Sequence, residues 1–230
     1  MTLQKVTDSG RAAPKRRYDD ACGTAHALDL IGERWALLVM RELMLGPKRF
    51  SDLRADLPGI SANVLTQRLE GLEAAGLVVR RRLPPPASTQ VYELTPWGYE
   101  AEPIVQSLGR WAARSPAHDP TLPISGVSIM LSFKTMFDAA RAGFFSARIG
   151  FRLGSETFLA LIERGTLRIA RSGLDGADAV FTGSATALAA AVYGGQPFEA
   201  LAQAGALTVE GDLAIARRFV TLFPLPPKVS

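Results

Sequence analysis

The stretch GISANVLTQRLEGLEAAG, Gly59 to Gly76, runs directly into Leu77-Val-Val-Arg-Arg-Arg82. Ser61 is a good helix N-cap, because its hydroxyl accepts one of the amides that a helix start leaves unpaired. Val64, Leu65, Leu69 and Leu72 recur at three- and four-residue spacing and mark an apolar face. Ala62, Asn63, Thr66, Gln67 and Glu70 then lie on the opposite, solvent face. That face is short, polar and close to the helix start, which suits a DNA major groove about 12 Å wide. Asn63 and Gln67 can make paired hydrogen bonds to a base edge, while Ser61 and Thr66 can reach phosphate or base. Arg68, on the same helix, joins the candidates. Any surface helix carries polar residues outside, so the flanking sequence has to decide.

That flank is informative. Val78 to Arg82 and Val91 to Leu94 read as two strands joined by a proline-stiffened tip, Leu83 to Gln90. A hairpin directly after a reading helix is the winged form of helix-turn-helix. Arg80, Arg81 and Arg82, with Gln90, are expected along the sugar-phosphate backbone. Upstream, Ala21 to Ile31 is helical by composition, and Gly32 ends it. Trp35 to Leu45 is apolar apart from Arg41 and Glu42 and should be a central buried helix, stopped at Gly46-Pro47. Arg49 to Leu57 is a short helix burying Phe50 and Leu53, with Lys48 and Arg49 at its start as further DNA candidates. Pro96 to Arg114 reads as a long helix with Ile104, Val105, Leu108 and Trp111 along one side. That stripe suits a symmetric dimer, although part of it can pack on the first helix.

At this point the chain resembles the HxlR family of bacterial winged-helix transcription regulators. The resemblance is carried by Cys22 and by Gly32-Glu-Arg-Trp-Ala-Leu-Leu38, Gly46-Pro-Lys-Arg-Phe50 and Leu57-Pro-Gly-Ile-Ser61. Leu65-Thr-Gln-Arg-Leu69, Leu72-Glu-Ala-Ala-Gly-Leu-Val78, Tyr92-Glu-Leu-Thr-Pro-Trp-Gly98 and Trp111 continue it. It spans about residues 18 to 115. It implies homodimers on roughly palindromic operators, acting as repressors or activators. Some members sense oxidants or electrophiles through a cysteine near the position of Cys22. Asp19 and Asp20 beside it disfavour a thiolate, and a buried, inert cysteine is the commoner case.

The second half has another texture. Ser115 to Pro123 holds three prolines and reads as a linker, with 118–124 as its core. Leu131 to Arg141 suggests a helix presenting Phe133, Met136 and Phe137. Strands are expected at Phe144–Leu153, Thr157–Arg164, Thr166–Ala170, Ala177–Thr182 and Leu207–Glu210. Ser184 caps a helix to Tyr193, Pro197 starts a short one, and Asp212 caps the last. Asp175 and Asp178 read as turn residues. This order resembles the sterol carrier protein type 2 fold, on Ala177-Asp-Ala-Val-Phe-Thr-Gly-Ser184, Tyr193-Gly-Gly195 and Leu207-Thr-Val-Glu-Gly-Asp212. The resemblance implies an elongated apolar ligand held between sheet and helices. Phe133, Phe137, Phe151, Phe158, Phe181, Val192 and Phe198 would line that pocket, though each also reads as ordinary core.

The expected fold class is therefore α+β: a tail at 1–17, a winged helix-turn-helix unit at 18–117, a linker, and a sterol-carrier-like unit at 125–230. The 230 residues carry a net charge of +4, and the basic residues matter through clustering rather than number. A single cysteine excludes an internal disulfide and fits a reducing cytoplasm. The uncharged run Ala179 to Phe198 is interrupted by Gly, Thr, Gln and Pro, so no membrane span is expected. The two histidines, His26 and His118, lie apart, and no metal, cofactor or catalytic constellation is legible. The expected partners are double-stranded DNA, a second copy of the chain, and a hydrophobic effector. Two alternatives stay open: a carrier of hydrophobes whose DNA-binding half is vestigial, and a regulator whose second half only scaffolds the dimer.

Overall fold

The computed structural model describes residues 18–84 and 88–229. The expected tail at 1–17, with its Lys15-Arg16-Arg17 cluster, and the hairpin tip at 85–87 lie outside the described residues. The first half builds α1 (Gly23–Ile31), α2 (Ala36–Leu43), α3 (Phe50–Asp56) and α4 (Ala62–Ala74). The hairpin β1 (Val78–Arg82) and β2 (Gln90–Leu94) follows, then α5 (Pro96–Tyr99) and α6 (Glu102–Ala112). Ser61 Oγ accepts the Val64 amide at 3.3 Å and so caps α4 as its sequence requires. Gly59, at φ +90°, supplies the left-handed turn between α3 and α4 that a side chain would strain. Leu65, Leu69 and Leu72 are buried against α2. Each such side chain contributes roughly 1.5–3 kcal/mol of apolar burial.

The long helix expected over Pro96–Arg114 is two helices. Thr95 caps the first and Pro103 sits in the first turn of the second, with the chain turning at Glu100-Ala101. Gly98 fixes the first piece against the hairpin, since a Cβ there would lie 2.2 Å from Leu77 O. The inner side of α6 packs on α2 and on the following helix of the second half.

The second half contains α7 (Gly126–Met136), α8 (Ala139–Ala142), β3 (Ala147–Leu153), β4 (Glu156–Glu163), β5 (Thr166–Arg171) and β6 (Ala179–Gly183). It closes with α9 (Ala185–Tyr193), α10 (Phe198–Gln203), β7 (Leu207–Gly211) and α11 (Leu213–Val220). The strands form one sheet in the order β5-β4-β3-β6-β7, with β3 and β6 parallel and the other neighbours antiparallel. The helix expected from Leu131 begins earlier, because Ser125 Oγ accepts the Ser128 amide at 3.0 Å. Asp212 caps α11 as expected, accepting the Ala214 and Ile215 amides.

Phe133, Phe151, Phe158, Phe181 and Phe219 are fully buried. Phe133 stacks on Phe223 at 4.6 Å, Phe151 on Phe181 at 5.7 Å, and Phe219 meets Phe133 edge-on at 5.5 Å. These rings fill the layer between sheet and helices. Of the side chains expected to line a pocket there, Phe133 and Phe181 each pack on Phe151. Phe198 joins them edge-to-face with Phe181, and Phe137 contacts Phe223. Of the seven, Val192 is the one lining a described cavity, a hollow of about 410 Å³ beside Phe223 and Leu225.

The proline-rich connection at 118–124 is held down rather than free. Ile124 donates to Thr186 Oγ1 at 3.5 Å, while the C-terminal tail folds over the stretch before it, with Val229 N on Arg114 O at 2.8 Å and Lys228 Nζ on Ser115 O at 2.8 Å. Buried side chains of both halves form one continuous apolar cluster.

Candidate nucleic-acid interface

Helix α4 presents Asn63, Thr66 and Gln67 to solvent, and none of their side chains has a hydrogen bond among the described residues. Their outward placement follows from the buried leucine stripe on the other side of the same helix. Ser61 and Arg49 are exposed at the starts of α4 and α3. Arg54 is exposed on α3 and has no ion pair among the described residues.

One of the expected DNA contacts, Lys48, is corrected by packing, and a second, Arg68, is held in an ion pair. Lys48 is buried, at 3% exposure. Its backbone pairs with Tyr92 of β2, N to O at 3.0 Å, which pulls the side chain inward. Its ammonium meets Asp56, Glu156 at 3.1 Å and Glu42 at 3.3 Å. Burial alone pushes the Lys48 pKa down, but Glu42, Asp56 and Glu156 outweigh that and hold it above its ordinary value. Arg68 turns toward the loop after α1 and pairs with the exposed Glu33 at 3.2 Å, a partner it must release to reach a phosphate.

The wing arginines do not form one row. Successive strand residues point to opposite faces, so Arg80 and Arg82 share one side and Arg81 takes the other. Arg80 lies over the Tyr92 ring at 5.4 Å and pairs with Glu73 at 2.9 Å. The hydrogen bond it donates to Glu73 is the main reason its pKa is raised. Arg81 pairs with Glu93 at 2.8 Å. Arg82 donates to Ser88 O at 3.1 Å and has no carboxylate partner among the described residues. Gln90 is exposed, its amide 3.5 Å from the Tyr92 hydroxyl.

Cys22 departs from the reading of a buried, inert thiol. It is exposed immediately before α1, and its own amide donates to Asp20 at 2.9 Å. The Thr24 amide, then the Thr24 hydroxyl and the Ala25 amide, hold the thiol below its ordinary pKa. Helix-start donors therefore set the direction of the shift.

Between the halves lies a charged cluster. Glu42 is fully buried; its Oε1 accepts from Arg41 Nε at 2.9 Å, Arg41 Nη2 at 2.7 Å and Ser125 Oγ at 2.8 Å. Arg171 pairs with Glu156 at 2.6 Å and donates to Pro47 O at 3.3 Å. A signal for this was present: a lone glutamate inside the apolar helix ALLVMREL demands cations when buried. Beside the cluster, a cleft of about 1050 Å³ runs between α2, α6 and α7. Among the described residues, no helix is long and apolar enough to cross a membrane.

Residues 30–119 match the family described as HxlR-like helix-turn-helix, and residues 133–224 match the SCP-2 sterol transfer family. Similar curated proteins include the uncharacterized HTH-type transcriptional regulator YvaP of Bacillus subtilis. It is 37% identical over 86 residues, spanning 37% of this chain and 80% of that protein. The HTH-type transcriptional regulator YodB of the same organism is 37% identical over 37% of this chain and 77% of its own. YtfH of Escherichia coli, an uncharacterized HTH-type transcriptional regulator, is 33% identical over 47% of this chain and 86% of its own. Among solved structures, the reduced form of YodB is 34% identical over 43% of this chain and 98% of that chain, with a TM-score of 0.38.

Proposed function

The chain belongs to the HxlR-like helix-turn-helix family of transcriptional regulators and carries an SCP-2 sterol transfer domain, and we propose that it acts as a homodimer on palindromic operator DNA in the bacterial cytoplasm. The observation that carries this reading is the free polar side of α4, where Asn63, Thr66 and Gln67 are exposed and unspent on internal bonds. Asn and Gln at such positions fit the paired donor and acceptor of adenine in the major groove. Ser61, Arg49, Arg80, Arg81, Arg82 and Gln90 then serve phosphate and groove-edge contacts around it.

Dimerisation is supported by α6. Ile104, Leu108 and Trp111 are 56%, 46% and 72% exposed in one stripe, an apolar surface that a single chain leaves uncovered. A two-fold axis there would set two reading helices about one DNA turn apart, ~34 Å. The functional units are 18–117 for DNA and 125–230 for the effector role. Selection of genomic fragments by the purified protein, followed by gel shifts across a salt series, tests the reading. Enrichment of a palindrome, with affinity falling steeply in salt, is expected. Uniform, salt-insensitive retention would overturn it in favour of the carrier alternative.

A further inference from the structure

The cleft between the halves is built differently from the aromatic layer expected to hold a ligand. Its floor reaches buried side chains, Leu57, Leu131 and Met136, each 4% exposed or less. Its volume, about 1050 Å³, lies at the upper end of small-molecule sites, ~300–1,000 Å³. Trp35, held at φ +80° where a bulky residue is strained, forms part of the wall.

Most polar groups on the wall are already satisfied. Tyr193 and Ser132 bond each other at 2.6 Å, and Thr135 donates to Leu131 O at 2.7 Å. Two groups remain. Arg41 spends Nε and Nη2 on Glu42, while its Nη1 has no partner among the described residues. The Ser128 hydroxyl has none there either. Both line the cleft, and both sit at one end of it. Ser125, one helical turn before Ser128, donates to the same Glu42 oxygen that Arg41 grips.

Charge decides the ligand class. Arg41, Lys48 and Arg171 are matched in the cluster by Glu42, Asp56 and Glu156. A ligand anion would leave an uncompensated charge out of water, which costs more than a single donor returns. We propose that the cleft binds an uncharged apolar molecule bearing one hydrogen-bond acceptor, with that oxygen on Arg41 Nη1 and the Ser128 hydroxyl. Arg41, Asp56 and Ser125 line the cleft and also hold the cluster, and Lys48 of that cluster pairs with the wing through Tyr92. Occupancy therefore biases the contact between reading half and second half. This effector role rests on the regulator reading; the binding itself does not.

The test uses the full chain without DNA, titrated calorimetrically with decan-1-ol and with decanoate. One decanol per chain is expected, with decanoate roughly tenfold weaker or worse. Ser128→Trp should abolish decanol binding. In a Trp97→Phe, Trp111→Phe background, decanol should shift the emission of Trp35, which remains. If Ser128→Trp does not fold, the Trp35 emission decides. Absence of decanol binding, decanoate binding as tightly, or binding silent at Trp35 would overturn the proposal; a second copy seated in the cleft would give the first result. None of these outcomes touches operator binding, whose own failure would leave the site standing.

Discussion

Glu42, buried at the heart of the DNA-binding half, accepts a hydrogen bond at 2.8 Å from Ser125, the N-cap of the first helix of the other half. The two halves are thus joined by a polar clasp as well as by shared apolar core. A buried ion cluster adds little net stability, because desolvation cancels most of its Coulomb gain. Its consequence is geometric: Lys48 to Glu156, Glu42 to Ser125 and Arg171 to Pro47 tie the halves at three points.

Removing one member should therefore cost much more than the cluster contributes. Glu42→Ala leaves Arg41 and Lys48 without their shared carboxylate, and a loss of about 3–5 kcal/mol is expected in chemical denaturation. A loss below about 1 kcal/mol would mean that the cluster is hydrated rather than buried.

The wing geometry separates its arginines. Arg82 lacks a carboxylate partner among the described residues, whereas Arg81 must release Glu93 to reach a phosphate. Arg82→Ala should weaken binding on all sequences alike and lower the salt slope by about one. Arg81→Ala should lower it less. A change in base preference from either variant would place the wing on bases instead.

Cys22 should alkylate with a pH midpoint lower than that of a free thiol, because the Thr24 amide and hydroxyl and the Ala25 amide stabilise its thiolate. The sign is the usual one for a depressed acid: the thiolate persists as pH falls until the lowered pKa is crossed. Iodoacetamide rates across pH check this. If full alkylation leaves operator affinity unchanged, Cys22 is reactive without being a sensor.

Trp111→Glu together with Ile104→Glu should convert the dimer to monomer in sedimentation, with weaker operator binding and a melting transition that no longer depends on protein concentration. A dimer that persists would move the two-fold axis away from α6.

The first half was nearly all legible, for a physical reason. Ser61, the leucine stripe and Gly59 act locally, so a short window of sequence carries them. Most strands of the second half were legible too, through alternation and turns. What escaped depends on distant partners. Lys48 looks like a surface cation until Tyr92 pairs with its backbone and Glu156, more than a hundred residues away, meets its side chain. The ligand layer looked open because seven apolar residues can either line a cavity or fill it, and only packing distinguishes the two. Arg80 to Arg82 are adjacent in sequence, but strand alternation sends Arg81 to the face opposite its two neighbours.

The most direct test of the account is the ratio of operator to scrambled-site affinity for the wild type and for Asn63→Ala and Gln67→Ala, at one fixed salt concentration. The account predicts that each variant loses about 1–3 kcal/mol of that discrimination while binding to scrambled DNA is unchanged. Full discrimination in both variants would contradict it, since the exposed side of α4 would then not be reading bases.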